Sequence, residues 1–462
     1  MKDLTEGDEA KLIWNFTVPM LIGNVFQQSY NVIDSVIVGR FVGKAALAAV
    51  GASFPVLFLL VALTIGVTMG FSILIAQYYG AKDMVRVRRA IDTSYVFLFF
   101  ASLAITAVGL AVTEPVLRLL RTPADVLAPA VLFLRITFAG MIFLFGYSSV
   151  SAILRGLGDS KTPLYFLIFS SILNAILALV FVAVFGWGVA GSAWASVLAQ
   201  AAAFLLCVAY LNRTHAVLRF RLRGLIFDRE IFRKSLLIGI PTGFQQVAVA
   251  TGMMALTRIV NGFGTDAIAA FTAAGRLDAF ASMPAMNLSA AVSTFVGQNL
   301  GAGKPERVRQ GLFAALRIAA VISLTTTLIV VLFAPRLIAL FNADPGVVAI
   351  GVRYLHIVGC FYVVFAGMFV VNGVLRGAGD TFIPMIITVL ALWLIRVPLS
   401  EFLSRRMGTD GIWWGVPVAW GAGLLLSSLY CATGRWKRKV VARPVVVSAP
   451  EADEAEWNTA NF

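Results

Sequence analysis

Four polar residues recur along the first long apolar run of this chain: Asn24, Gln27, Asn31 and Asp34. Their spacings of three, four and three place them on one helical face. An ionisable group in hydrocarbon costs about 2.5–3.5 kcal/mol, so such a stripe belongs against a partner helix or a wet cavity. Asp34 stands five residues before Gly39, roughly 7.5 Å from the end of its run at helical rise. A carboxylate there can take up and release H⁺ or Na⁺, or be held structurally by neighbouring helices.

Other polar groups punctuate later runs. Asp278 lies twelve residues past Asp266, about 18 Å along a helix. Either it forms a buried pair with Arg276, or it faces a cavity and binds a cationic substrate. Arg396 snorkels outward, pairs with an acid such as Glu401, or touches ligand. Gln245 and Gln246 follow Pro241 much as Gln27 and Gln28 follow Pro19. Met253, Met254, Phe280, Met283 and Met286 either line an adaptable apolar cavity or simply pack. His356 and Arg135 sit near the outer ends of their runs, where polar anchors are expected. Cys207, Cys360 and Cys431 have no paired spacing, and no metal-ligand, nucleophile or nucleotide-loop motif is present, so neither a cofactor nor catalysis is expected.

The elements that must position these groups follow from composition. Hydrophobic residues make up 60% of the chain and charged ones 13%, against about 25% charged in soluble domains. Runs long enough to cross a bilayer recur throughout. Twelve spans are expected: Leu12–Gly39, Leu47–Tyr78, Ala90–Thr113, Ala128–Leu154, Pro163–Phe185, Val189–Leu211, Ser235–Val260, Ala267–Leu300, Gly311–Ala334, Val347–Leu375, Pro384–Leu403 and Gly411–Thr433. The fold class is therefore an all-α membrane protein. The expected organisation is a cytoplasmic N-terminus (1–11), a first lobe (12–211), a basic connector (212–234), a second lobe (235–433) and a disordered cytoplasmic tail (434–462). The acidic first eleven residues do not read as a secretory signal peptide.

Lys and Arg concentrate in the even-numbered connections, which predicts a multi-pass plasma-membrane protein with both termini cytoplasmic. The net charge of +14 fits this bias and attraction to anionic lipid. Because no basic patch interleaves with aromatic residues, nucleic acid is not an expected partner.

The sequence also repeats itself. LRGLGDSKTP begins at Leu154 and LRGAGDTFIP at Leu375, 221 residues later. The same shift pairs Gly43 with Gly264, Gln77 with Gln298, Gly80-Ala81 with Gly301-Ala302, and Arg86-Val87-Arg88 with Arg307-Val308-Arg309, with no gap between Gly43 and Pro163. Six spans per copy return the chain to its starting side, so the repeats are parallel, related by a pseudo-two-fold along the membrane normal. Two such bundles can rock about a central cleft. Locally the phrase reads as an elbow: Arg155 complements a helix end, Gly156 and Gly158 leave helical geometry, and Asp159 to Thr162 cap the next helix.

The segment QQSYNVIDSVIVGRFVGKAALAAVG from Gln27, the pair AQYYGAKDMVRVRR and VGQNLGAGKPERVR, and the twin LRGxGD elbows resemble the multidrug and toxic compound extrusion (MATE) family. The resemblance implies a V-shaped cavity between two six-helix lobes, and efflux of organic, usually cationic, compounds driven by inward H⁺ or Na⁺. It also implies a cation site at Asp34, with Asn174 and Ser196 supplying the family's amide and hydroxyl. The family's second acid falls at Ala178, and Gln245 stands where some relatives carry an acid. The expected activity is thus export of a small organic compound, cationic and amphipathic, in exchange for H⁺ or Na⁺ by a monomer in the lipid bilayer. A lipid-linked precursor flippase of the same superfamily and a non-transporting scaffold are the alternatives.

Overall fold

The computed structural model describes residues 2–119, 122–214 and 224–442. These are helical almost throughout, with no strand among them. Apolar segments that cannot bond their backbone to water must bond it internally, and a helix does so within one segment. Among the described residues nine helices are long and apolar enough to cross a bilayer, and two bent pairs raise the number to eleven. The helix carrying the polar stripe, α1 (Glu9–Phe41), is 33 residues long and completes the twelve.

The first lobe holds α1, α2 (Lys44–Gly80), α3 (Met84–Leu119), the bent pair α4 (Ala124–Ala139) and α5 (Met141–Gly156), α6 (Lys161–Ala178) and α7 (Gly188–Thr214). The second holds α8 (Arg229–Asn261), α9 (Thr265–Gly301), α10 (Pro305–Ala339), the bent pair α11 (Pro345–Gly359) and α12 (Tyr362–Gly377), α13 (Phe382–Val389), α14 (Val397–Met407) and α15 (Thr409–Ala432). A wide π turn, Leu179–Val184, prolongs α6, and another, Leu390–Arg396, joins α13 to α14.

The fourth and tenth spans were expected to be continuous but bend by 50° and 48°. Each bend frees a carbonyl that lipid cannot satisfy, and a hydroxyl from the preceding span takes it up. Thr106 Oγ1 donates to Phe138 O at 2.8 Å, and its counterpart Thr327 Oγ1 donates to Gly359 O at 2.6 Å.

The repeated elbows are Schellman turns. Asp159 N bonds Leu154 O at 2.8 Å and Asp380 N bonds Leu375 O at 3.0 Å, with Gly158 and Gly379 at φ +82° and +91°. Asp159 then accepts from the Lys161 and Thr162 amides, both at 3.0 Å, as a cap should. Its twin Asp380 instead accepts from Tyr430 Oη at 2.5 Å.

The lobes meet where α2 packs on α8 and α1 on α9, and α2 and α9 cross each other in their halves nearest the elbows. A Cβ on Gly80 would lie 1.9 Å from Gln298 O, and one on Gly301 would lie 1.9 Å from Gln77 O. Both pairs obey the repeat shift, so the crossing is itself two-fold. Gln77 Nε2 donates to Gly377 O and Gln298 Nε2 to Gly156 O, each at 3.0 Å across the lobe boundary.

Each terminal segment is seated on this crossing. Gln298 Oε1 accepts from Leu4 N, and Gln77 Oε1 from Val441 N, both at 2.9 Å. The tail expected to lack structure from residue 434 is therefore ordered through Ala442. Arg435–Lys439 forms a 3₁₀ turn whose Trp436 is buried, because the indole and Ala442 find apolar cover against the lobes. Residues 443–462 of that tail and 215–223 of the basic connector lie outside the described residues.

The N-terminal segment is also pinned by Asp3. Burial pushes this carboxyl up, but hydrogen bonds from Lys82 and Thr5 and the charge of Lys82 outweigh it and hold the group at about 2. A group more acidic when docked than when free stabilises docking above its ordinary range and ceases to do so as pH falls through its docked value. Protection of the Leu4 amide in hydrogen exchange is expected to hold above about pH 4 and to fall between there and about 2. Unchanged protection across that window would remove Asp3 from the account.

Candidate functional site

Two groups of polar residues stand out. In the first lobe α1, α6 and α7 converge on Asp34, which is 9% exposed. Ser192 Oγ is within hydrogen-bond distance of both Asp34 oxygens, at 2.8 and 2.9 Å. One turn away, the Tyr30 and Ser196 hydroxyls are 2.9 Å apart, and Asn174 Nδ2 donates to Ser196 Oγ at 3.1 Å. Asn174 Oδ1 is buried without a partner.

The expected trio of Asp34, Asn174 and Ser196 thus falls in one neighbourhood. Ser192 and Tyr30 were not foreseen, although the signal was present: each lies four residues from a residue that was, Ser192 before Ser196 and Tyr30 before Asp34. Ala178 is fully buried with Ile37, Val182 and Ala195, an apolar wall where the family's second acid would stand.

The second group lines a cavity of about 900 Å³ between the lobes. Asn24, Gln27, Gln245, Gln246, Asp278 and Arg396 all face it. Asp34 does not, because ten residues at 100° each turn the stripe by about 80° from Asn24. The side chain of Asn31 lies outside the description. Asn24 Nδ2 donates to Asn287 Oδ1 across the lobes at 2.8 Å.

Several expectations are corrected here. Arg276 does not pair with Asp278; it is exposed, with its guanidinium 5.9 Å from the Phe341 ring centroid. Two residues apart on a helix, their side chains diverge by about 200°. Asp278 accepts instead from the Tyr354 and Tyr362 hydroxyls. Arg396 neither snorkels nor pairs with Glu401, whose carboxylate takes Arg405 at 3.0 Å. Met283 is buried in packing away from the cavity, whereas Met253 and Met286 line it.

Two lining residues read in the sequence as parts of a helix-ending elbow, with a role in gating as the alternative. Arg155 and Arg376, the arginines of the twin elbows, occupy the last turns of α5 and α12 yet direct their side chains into the cavity wall. Arg376 Nη2 donates to Gln245 Oε1 at 2.9 Å, and Gln245 Nε2 donates to Thr388 Oγ1 at 2.6 Å. Phe365 packs against Phe369 and Trp420, at centroid distances of 4.5 and 4.8 Å, giving the cavity an aromatic side. Among the described residues no group of three or more His, Cys, Asp or Glu could hold a metal ion.

Comparison with known proteins adds an independent line. The MatE family model matches twice, over residues 19–180 and 241–401, reproducing the internal repeat. The chain is 34% identical over 435 residues to "Probable multidrug resistance protein YpnP" of Bacillus subtilis (strain 168), covering 94% of this chain and 97% of that one. It is 28% identical to "Probable multidrug resistance protein NorM" of Thermotoga maritima, covering 93% and 94%. A solved structure described as the outward-facing conformation of a multidrug resistance MATE family transporter of the MOP superfamily superposes with a TM-score of 0.88 at 25% identity, over 95% of this chain and 99% of that one.

Proposed function

This chain belongs to the MatE family of multi-pass membrane multidrug efflux transporters, which are not enzymes, and from that premise we propose that it is a secondary antiporter. It exports amphipathic organic compounds from the central cavity in exchange for H⁺ or Na⁺ bound at Asp34. The observation that carries this is the Asp34 carboxylate, buried between helices with Ser192 as its hydrogen-bond partner. A group held in this way can change its occupancy as α1 shifts.

The proton is favoured. Na⁺ prefers several oxygen ligands, and the second carboxylate that would help supply them is replaced by the buried Ala178. Asn174 and Ser196 then act as positioning residues one turn away. The basic connections support a plasma-membrane protein whose elbows and both termini are cytoplasmic. The chain works as a monomer, since both lobes and the whole cavity belong to one polypeptide.

The test is purified protein in liposomes with a fluorescent organic compound and separately imposed pH and Na⁺ gradients. Movement driven by the pH gradient is expected; movement under neither gradient would overturn the proposal. Ser192→Ala should slow pH-driven transport roughly tenfold, since a hydrogen bond to a charged group is worth about 1.5–3 kcal/mol. A rate equal to wild type would remove Ser192 from the coupling site.

A further inference from the structure

The charges on the cavity wall do not suit an organic cation. Its charged lining residues are three arginines, Arg155, Arg376 and Arg396, and one acid, Asp278. That acid is already engaged by two tyrosine hydroxyls. Among the described residues no carboxylate forms a close ion pair with any of the three arginines, although Asp278 attracts Arg396 at longer range. The Nε atoms of Arg376 and Arg396 are buried without a hydrogen-bond partner.

An unpaired guanidinium within a membrane is costly, and a bound anion is the group that relieves the cost. Its planar fork matches a carboxylate or phosphate better than any other ligand class. We propose that the cavity binds an amphipathic organic anion, its carboxylate or phosphate held at the elbow end by Arg155 and Arg376 and its apolar body against Phe365, Phe369 and Trp420.

The arrangement looks built rather than incidental. Arg155 and Arg376 occupy the same place in the two repeats, so each lobe contributes one cation at the elbow end of the cavity. Arg396 reaches the cavity through the π turn Leu390–Arg396. Five residues complete a π hydrogen-bonded ring, and Ala391 and Arg396, five apart, both line the wall. The family resemblance implies a cationic cargo, and the proposal departs from it because the cavity lining holds one acid against the two elbow arginines and Arg396. This inference rests on the exporter reading above only for the ligand's route through the membrane; the binding site stands or falls separately.

The experiment is equilibrium binding of carboxyfluorescein and, in parallel, of ethidium to the full-length protein in phosphatidylcholine nanodiscs. Carboxyfluorescein is expected to bind, and Arg155→Gln and Arg376→Gln each to weaken it at least about tenfold, with Arg155→Lys and Arg376→Lys recovering part of the loss. Binding of ethidium but not carboxyfluorescein overturns the proposal, as does equal carboxyfluorescein affinity in the folded glutamine variants. If those variants do not fold, the wild-type choice between the two dyes still decides. Nanodiscs containing phosphatidic acid identify the source of the anion: displacement of the dye assigns the site to a lipid headgroup, and retention assigns it to a soluble compound. Carboxyfluorescein binding without transport under any gradient would leave the anion site intact and defeat the exporter reading instead.

Discussion

Asp34→Asn is expected to fold, insert and bind cargo, yet to lose gradient-driven export by on the order of 100-fold. Asparagine matches aspartate in shape, and its Oδ1 can still accept from Ser192 Oγ, which now contacts both carboxylate oxygens. What it lacks is a site that changes occupancy with the ion on either side. A ligand that no longer distinguishes two conformations cannot shift the balance between them, whatever the gradient. Exchange of labelled for unlabelled cargo without a gradient should persist, because it needs only the rocking of the lobes. Wild-type rates of pH- or Na⁺-driven export by this variant would sink the role given to Asp34.

Gly80→Val should have the second large effect, through the lobe crossing rather than through ion binding. Its Cβ would lie 1.9 Å from Gln298 O, and the obstructing atom is backbone, so no side chain can swing aside. Overpacking of this kind costs about 1–3 kcal/mol and sometimes more. The elbow ends of α2 and α9 must part, which breaks the reciprocal glutamine bonds and unseats the N-terminal segment from Gln298. In a background lacking Cys207, Cys360 and Cys431, a Leu4→Cys reporter, buried in the parent protein, should react much faster with a hydrophilic maleimide once Gly80→Val is added. Gly301→Val should reproduce the result from the other repeat. Slow labelling in both would show that the seal does not depend on this crossing.

The sequence made the architecture legible because its largest signals are physical necessities. Hydrocarbon demands long apolar helices, and a duplicated gene leaves the same glycines at the same offset. Less was legible where the outcome depends on which way a side chain turns. Asn24 and Asp34 share a stripe by spacing, yet a modest helical drift sends one to the cavity and the other into the lobe. Arg155 and Arg376 read as helix-end cations, and their exposure to the cavity emerges only once the elbows are packed together. Arg276 and Asp278 are two apart in the sequence but diverge around the helix, and the tyrosines that replace Arg276 come from α11 and α12, some eighty residues away. The bends in the fourth and tenth spans had a readable partner in Thr106 and Thr327, but a threonine in an apolar run has too many other uses to announce that one.

Neither Asp34 nor Asp278 has a counterpart in the opposite repeat: the 221-residue shift sets Asp34 on Ala255 and Asp278 on Leu57. On the roles proposed above, the copies specialised after duplication, one keeping the acid that would meet the ion and the other supplying an acid to the wall that would meet the cargo. Because Asp34 sits apart from that wall, ion and cargo never contend for the same seat. Their antagonism has to travel through the tilt of a single shared helix, so stiffening α1 would uncouple the pump without touching either occupant.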